Sequence, residues 1–120
     1  MDTRPNILVL GRNLLLVSRI TNMANSMNLN VSQVSSQKEY LCLEEAVNLV
    51  LIDLESDFEF WTNIVSSLRE KIVDGLDCKI VAFGPHRRER VLSEAREAGC
   101  DLVITNGQLS RDLREILESV

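Results

Sequence analysis

The stretch NLVLIDLES, residues 48–56, decides the fold. Leu49, Val50, Leu51 and Ile52 run without a polar break into one carboxylate, Asp53. Turn residues stand on both sides of this run, and it is too short for a stable helix. It therefore reads as a strand of the buried type. A buried strand that ends in aspartate delivers that carboxylate to a surface where something binds. The remaining elements are read outward from it.

Upstream, Asn6–Leu10 (NILVL) has the same short apolar character and predicts a first buried strand. Residues 14–27 place Leu14, Val17, Ile20, Thr21 and Ala24 on one helical stripe. Asn28–Asn30 interrupts it, and Val31–Val34 predicts a weaker, more polar strand suited to a sheet edge. A short helix is expected over 37–46. Downstream, residues 57–73 carry Phe58, Trp61, Ile64, Val65, Leu68 and Ile72 at helical spacing, with Asp57 at the N-terminus and Asp74-Gly75 as the stop. Lys79–Phe83 predicts a fourth strand, broken by Gly84-Pro85. Residues 87–98 form the next helix, with Pro85 suited to its start, Val91, Leu92 and Ala95 inward and Gly99 beyond its end. Leu102–Thr105 is the fifth strand. Asn106-Gly107 reads as a turn, and Ser110 as the cap of a last helix with Leu113, Ile116 and Leu117 on its inner face.

Strand and helix thus alternate five times. This order means a parallel sheet with helices on both faces. Right-handed crossovers leave few topologies, and the weak second strand belongs at an edge. The expected architecture is a three-layer flavodoxin-like (βα)5 fold with strand order 2-1-3-4-5, formed by residues 1–120 as a single domain. Ligands in such folds sit beyond the carboxyl ends of the strands. The positions to read are Gly11, Arg12 and Asn13; Asp53; Gly84 and His86; and Thr105 and Asn106.

Composition narrows the function. The chain has 120 residues, 45% hydrophobic and 26% charged, with a formal net charge of −5. That charge disfavours general binding to nucleic acid or to acidic membranes. No run approaches the ~20 apolar residues of a membrane helix, and nothing reads as a signal peptide, so a cytoplasmic location is expected. Cys42, Cys78 and Cys100 are odd in number and widely spaced, without C-x-x-C, and are expected to be small buried hydrophobes. One His and no paired ligand spacing argue against a metal site. No G-x-G-x-x-G, P-loop, D-x-H-x-x-G or Ser/Thr/Gly-rich phosphate loop occurs, so no cofactor is expected. His86 has no Ser or Cys neighbour to activate, and no paired carboxylates have sensible spacing, so an enzyme is not expected.

Asp53 at the end of the third strand, the strand–helix order and the stretch REAGCDLVITNG (residues 96–107) together resemble the receiver domain of two-component response regulators. That stretch is similar to the family's EAGADDYLTKP segment, and Cys100 falls where the family usually has alanine. The resemblance covers nearly the whole chain and implies a CheY-like fold. It also implies a chemistry: an acidic pair for Mg²⁺, an aspartate that takes a phosphoryl group, and a hydroxyl and a lysine for the phosphoryl oxygens. Of these only Asp53 is kept. The acidic pair aligns with Gly11 and Arg12, the hydroxyl with Gly84, the lysine with Asn106, and Gly107 replaces the usual proline. The chain therefore resembles a degenerate, or pseudo-, receiver.

The expected function is a phosphorylation-independent signalling module that acts by protein–protein interaction. With no output domain after Val120, its effect is expected to pass through contacts. The partner, or a second copy, is expected on residues 87–119, the Arg/Glu-rich last helix pair with the strand between. Two alternatives stand beside it: a true phospho-acceptor receiver at Asp53, and a binder of a small anion or nucleotide held by Arg12, Arg87 and Arg88. Several residues have two readings. Arg12 pairs with Asp53 in place of the metal, or is an exposed loop arginine. Asp53 keeps a regulatory role, or caps a loop. Asn13 bonds Asp53, or caps the first helix. The cluster GPHRRER (84–90) is an anion site, or a solvated first turn balanced by Glu89, Glu94 and Glu97. Trp61 and Phe58 are core, or one of them faces out as an anchor.

Overall fold

The structure is a computed structural model that describes residues 4–43 and 46–120. Ten elements alternate along the chain: β1 (Asn6–Leu10), α1 (Leu14–Ser26), β2 (Asn30–Val34), α2 (Gln37–Leu41), β3 (Leu49–Asp53), α3 (Phe58–Val73), β4 (Lys79–Gly84), α4 (Glu89–Ala98), β5 (Leu102–Thr105) and α5 (Asn106–Glu118). The strands form one parallel sheet in the order β2-β1-β3-β4-β5. The expected topology is the observed one. In β3 all five residues are buried, as its unbroken apolar run requires of a central strand. At the edge, Ser32 and Gln33 of β2 are exposed and only Val34 is buried.

Side chains alternate across the pleat into two cores. On one face Leu8, Leu10, Val50, Ile52, Ile80 and Ala82 meet α2, α3 and α4, with Trp61 and Ile64 fully buried. On the other, Ile7, Val9, Leu49, Leu51, Val81 and Phe83 meet α1 and α5. Each fully buried Leu or Ile contributes about 1.5–3 kcal/mol of transfer free energy. An asparagine clip ties the amino end of the sheet. Asn6 N donates to Asn48 Oδ1 (2.9 Å), Asn6 Nδ2 to the Ala46 carbonyl (2.8 Å), and Asn30 Nδ2 to Asn6 Oδ1 (3.2 Å).

Several boundaries differ from expectation. The helix expected over 37–46 ends at Leu41; Glu44 and Glu45 lie outside the described residues, as do Met1–Thr3. Helix α4 starts at Glu89, not at 87, because Pro85–Arg88 closes a turn first, with Arg88 N donating to the Pro85 carbonyl (3.0 Å). Helix α5 starts at Asn106. Thr105, not Ser110, is its cap: Gln108 N donates to Thr105 Oγ1 (3.1 Å) and Thr105 N to Gln108 Oε1 (2.8 Å). This capping box pulls Asn106-Gly107 into the first helical turn. Leu14, expected on an inner stripe, is 69% exposed as the first residue of a helix that starts beyond the sheet; of Trp61 and Phe58, Trp61 is core and Phe58, 53% exposed, is the one that faces out. Cys42 is exposed as the C-cap of the short α2, whereas Cys78 is buried and Cys100 half-buried. No helix among the described residues is long and apolar enough to cross a membrane.

Candidate functional site

The parallel sheet brings the ends of β1 and β3 side by side, with Leu10 opposite Ile52. Asp53 follows in the same strand and is 6% exposed. Its Oδ1 accepts from Glu55 N (3.0 Å), while Ser56 N donates to its carbonyl (3.0 Å). The carboxylate therefore closes the β3–α3 turn. Burial pushes the Asp53 carboxyl above the usual carboxylate range; the Glu55 N–H partly offsets this, and the charge of Glu55 adds to it.

Gly11 is pressed against this aspartate. A Cβ at position 11 would lie 2.9 Å from Asp53 Cβ and 3.4 Å from Asp53 Oδ2, and its φ is +154°. A side chain at this position is thus opposed by both space and backbone. Two hydrogen bonds hold the glycine from the other side. Gly11 N donates to the Val34 carbonyl (3.1 Å), and Gln33 Nε2 donates to the Gly11 carbonyl (2.8 Å). Asn13 takes the capping role, its Oδ1 accepting from Leu16 N (3.2 Å). Arg12 is exposed, and among the described residues it forms no ion pair with Asp53. Of the two readings of Arg12, the exposed loop arginine agrees with the structure and the guanidinium–carboxylate pair does not: Asp53 lies inside the sheet's end while Arg12 stands out in solvent.

A cavity of about 850 Å³ opens beside Asp53. Gly11, Arg12 and Asn13 form one wall. Ser35 and Ser36, between β2 and α2, with Gln37 at the start of α2, form a second. Glu55, Ser56 and Asp57, with Glu59, Phe60 and Asn63 of α3, form the third. The volume is that of a small-molecule or side-chain pocket, at the topological switch between β1 and β3. Gly84, His86, Arg87, Arg88, Thr105 and Asn106 are not in its lining.

Those positions lie elsewhere on the molecule. A Cβ on Gly84 would meet Leu54 Cβ at 3.2 Å, so packing under α4 closes that position. His86 and Arg87 are exposed in the β4–α4 turn, and Arg88 is an N-cap without a side-chain bond. Arg12 therefore does not share one cavity with Arg87 and Arg88. Thr105 is committed to the capping box, and Asn106 is exposed in the first turn of α5. Sequence reading missed the β2–α2 serines and the α3 face of the cavity. Ser35-Ser36 directly after the second strand was the one available signal, since the next helix follows at once.

The donor set does not fit the divalent cation that the resemblance implies. Mg²⁺ asks for close, near-octahedral oxygen ligands. Among the described residues no group of three His, Cys, Asp or Glu side chains is arranged to hold a metal ion. The first position of the acidic pair is a glycine whose Cβ would collide with Asp53, and the second is an exposed arginine.

No protein-family model matches the sequence, and no curated protein matches it either. Solved structures do. The receiver domain of the TMAO respiratory system response regulator TorR is similar with a TM-score of 0.78 at 17% identity, over 96% of this chain and 94% of that one. The co-crystal structure of the Saccharomyces cerevisiae histidine phosphotransfer signaling protein Ypd1 and the receiver domain of its downstream response regulator Ssk1 contains a match with a TM-score of 0.75 at 15% identity, covering 96% and 88%. The response regulator DrrB of Thermotoga maritima gives 0.71 at 15% identity, over 94% of this chain and 54% of that one. This chain thus spans about half the length of DrrB. Identities this low speak for the fold alone, and the fold is the CheY-like fold of response-regulator receiver domains.

Proposed function

We propose that this chain is a degenerate receiver domain, a signalling module that acts through protein contacts without metal-assisted phosphorylation. One observation carries the reading: the contact between Gly11 and Asp53. The first metal-ligand position is a glycine, which supplies no carboxylate, and a Cβ there would stand only 2.9 Å from Asp53 Cβ. The phosphoryl group in transfer is stabilised almost wholly by metal and positive charge around its oxygens. Here the nearest candidate cation, Arg12, is unpaired with Asp53, and the lysine position is a helical asparagine.

The partner or second copy is proposed to use residues 87–119. There β5 is an edge strand with Leu102 exposed between α4 and α5. Some charges on that face are already paired within their helices, Arg90 with Glu94 (3.3 Å) and Arg114 with Glu118 (3.2 Å), and such exposed pairs contribute little. The proposed contact therefore rests on the apolar edge more than on charge.

The test is the intact mass of the protein after incubation with a small-molecule phosphodonor, with and without Mg²⁺, beside Asp53→Asn. No adduct is expected under either condition. A Mg²⁺-dependent adduct that disappears in Asp53→Asn would restore a true phospho-acceptor and overturn the proposal.

A further inference from the structure

Three large apolar side chains are exposed at the starts of the two helices whose N-caps, Asn13 and Asp57, line the Asp53 cavity. Leu14 is 69% and Leu15 83% exposed, at the start of α1. Phe58 is 53% exposed at the start of α3 and rests its edge on Trp61, ring centroids 5.3 Å apart. Leu14 follows directly on the wall residue Asn13, with Leu15 next to it, and Phe58 stands between the wall residues Asp57 and Glu59. Single exposed apolar residues are ordinary, but two adjacent leucines and a phenylalanine at two neighbouring helix starts beside one cavity are the grouping expected of an interaction surface.

Charge says what kind of group covers them. Asp53, Glu55, Asp57 and Glu59 all line the cavity, and Arg12 is the one cation in its lining. Asp53 keeps one carboxylate oxygen, Oδ2, outside any hydrogen bond among the described residues, and burial alone already disfavours its charge. A cationic side chain entering the cavity would relieve that cost. The apolar rim and the acidic interior together match a segment with leucine-type residues on one side and lysine or arginine on the other.

We propose that the Asp53 cavity and its rim of Leu14, Leu15 and Phe58 form a docking site for a basic amphipathic segment of a partner protein, with a Lys or Arg side chain inserted beside Asp53. This deepens the reading of a contact-driven module. It places a cationic group from the partner where a phosphorylating receiver would place a metal. Apolar contacts set the affinity, and the carboxylates set the sign of the charge accepted and make binding weaken with salt.

The experiment is a nuclear magnetic resonance titration of the full chain with three synthetic 18-residue peptides. One is an amphipathic Leu/Lys helix, one its Leu/Glu counterpart, and one a non-amphipathic Lys/Ser chain. Only the Leu/Lys peptide is expected to bind at micromolar concentrations, shifting the amides of residues 11–15 and 53–60. Leu14→Ser/Leu15→Ser and Glu55→Gln/Glu59→Gln are each expected to weaken it at least tenfold. These positions are exposed, so both variants should keep the sheet resonances of the parent. Equal binding of the Lys/Ser peptide, or Leu/Lys binding unchanged in both variants, would overturn the site. So would concentration-dependent shifts of residues 12–15 and 58 without peptide, which would assign the surface to a second copy. Failure here with no phosphoryl adduct removes the docking site and leaves the phosphorylation-independent reading standing. An adduct removes that reading whatever the peptides do.

Discussion

Replacing Gly11 by alanine should destabilise the protein far more than one methyl group ordinarily does. Two costs combine. A non-glycine residue at φ +154° occupies backbone space that L side chains rarely adopt, at about 1–3 kcal/mol. The new Cβ would stand 2.9 Å from Asp53 Cβ, and Asp53 is anchored inside a central strand with little room to retreat. Overpacking of this kind costs about 1–3 kcal/mol more. The sum, about 2–6 kcal/mol, is a large part of the stability of a small domain. With a urea dependence of about 2 kcal/mol/M, the unfolding midpoint should fall by roughly 1–3 M. Gly75→Ala is the control: its φ is +109° but nothing lies within 4 Å of its Cβ, so only the backbone cost applies, about 1–2 kcal/mol. A cycle with Asp53→Gly, which removes the opposing Cβ, should show a favourable coupling of about 1 kcal/mol or more. If Gly11→Ala matches Gly75→Ala, or if the cycle is additive, the steric account of the closed site is wrong.

Other measurements follow from the same geometry. Because burial raises the Asp53 carboxyl, the stability it contributes is complete below the unfolded value of about 3.9 and is lost as pH rises through the folded value. Asp53→Asn keeps an acceptor for Glu55 N–H, so it should be more stable than the parent at pH 7, the gap closing toward pH 3; a variant less stable at pH 7 would contradict this. Thr105→Ala should lose about 1 kcal/mol in urea unfolding, by removing the cap of α5. Asp101 Oδ2 accepts from Ile80 N at 2.7 Å, so Asp101→Ala should cost about 1–3 kcal/mol by orphaning that amide. Arg69→Ala, which removes only the half-exposed 3.4 Å pair to Asp101, should cost less than about 1 kcal/mol. Burial, with the charge of Asp101, pushes the thiols of Cys78 and Cys100 up to about 11, so a disulfide reagent at pH 8 should modify exposed Cys42 first, half-buried Cys100 more slowly and buried Cys78 last.

The sheet was legible because its inner strands are unbroken apolar runs. The inner strands Asn6–Leu10 and Leu49–Asp53, and the edge strand Leu102–Thr105, have the expected ends, and the polar Val31–Val34 stretch marked the other edge, which begins one residue earlier at Asn30. Helix starts were harder. Thr105-x-x-Gln108 is a readable capping box, but Asn106-Gly107 inside it carries the opposite, turn-forming signal. Reciprocal hydrogen bonding at the cap outweighs the intrinsic preference of one glycine. Arg12 and Asp53 were adjacent in topology, yet adjacency does not specify side-chain direction, and the two do not pair. The cavity walls from Ser35-Ser36 and from Asn63 depend on how two crossovers pack together, which no local pattern encodes.

The double tether of Gly11 bears on timescale. Moving the β1–α1 loop means releasing the bond to Val34 and the bond from Gln33 together. At a net ~0.5–1.5 kcal/mol each, the displaced loop is a minor species of about one to fifteen per cent. Its amide belongs, for exchange with solvent, to the edge of the sheet and not to the loop that bears it. Residue 11 should therefore keep its proton about as long as Val34 keeps its place in β2, and the floor of the cavity is set before any partner arrives.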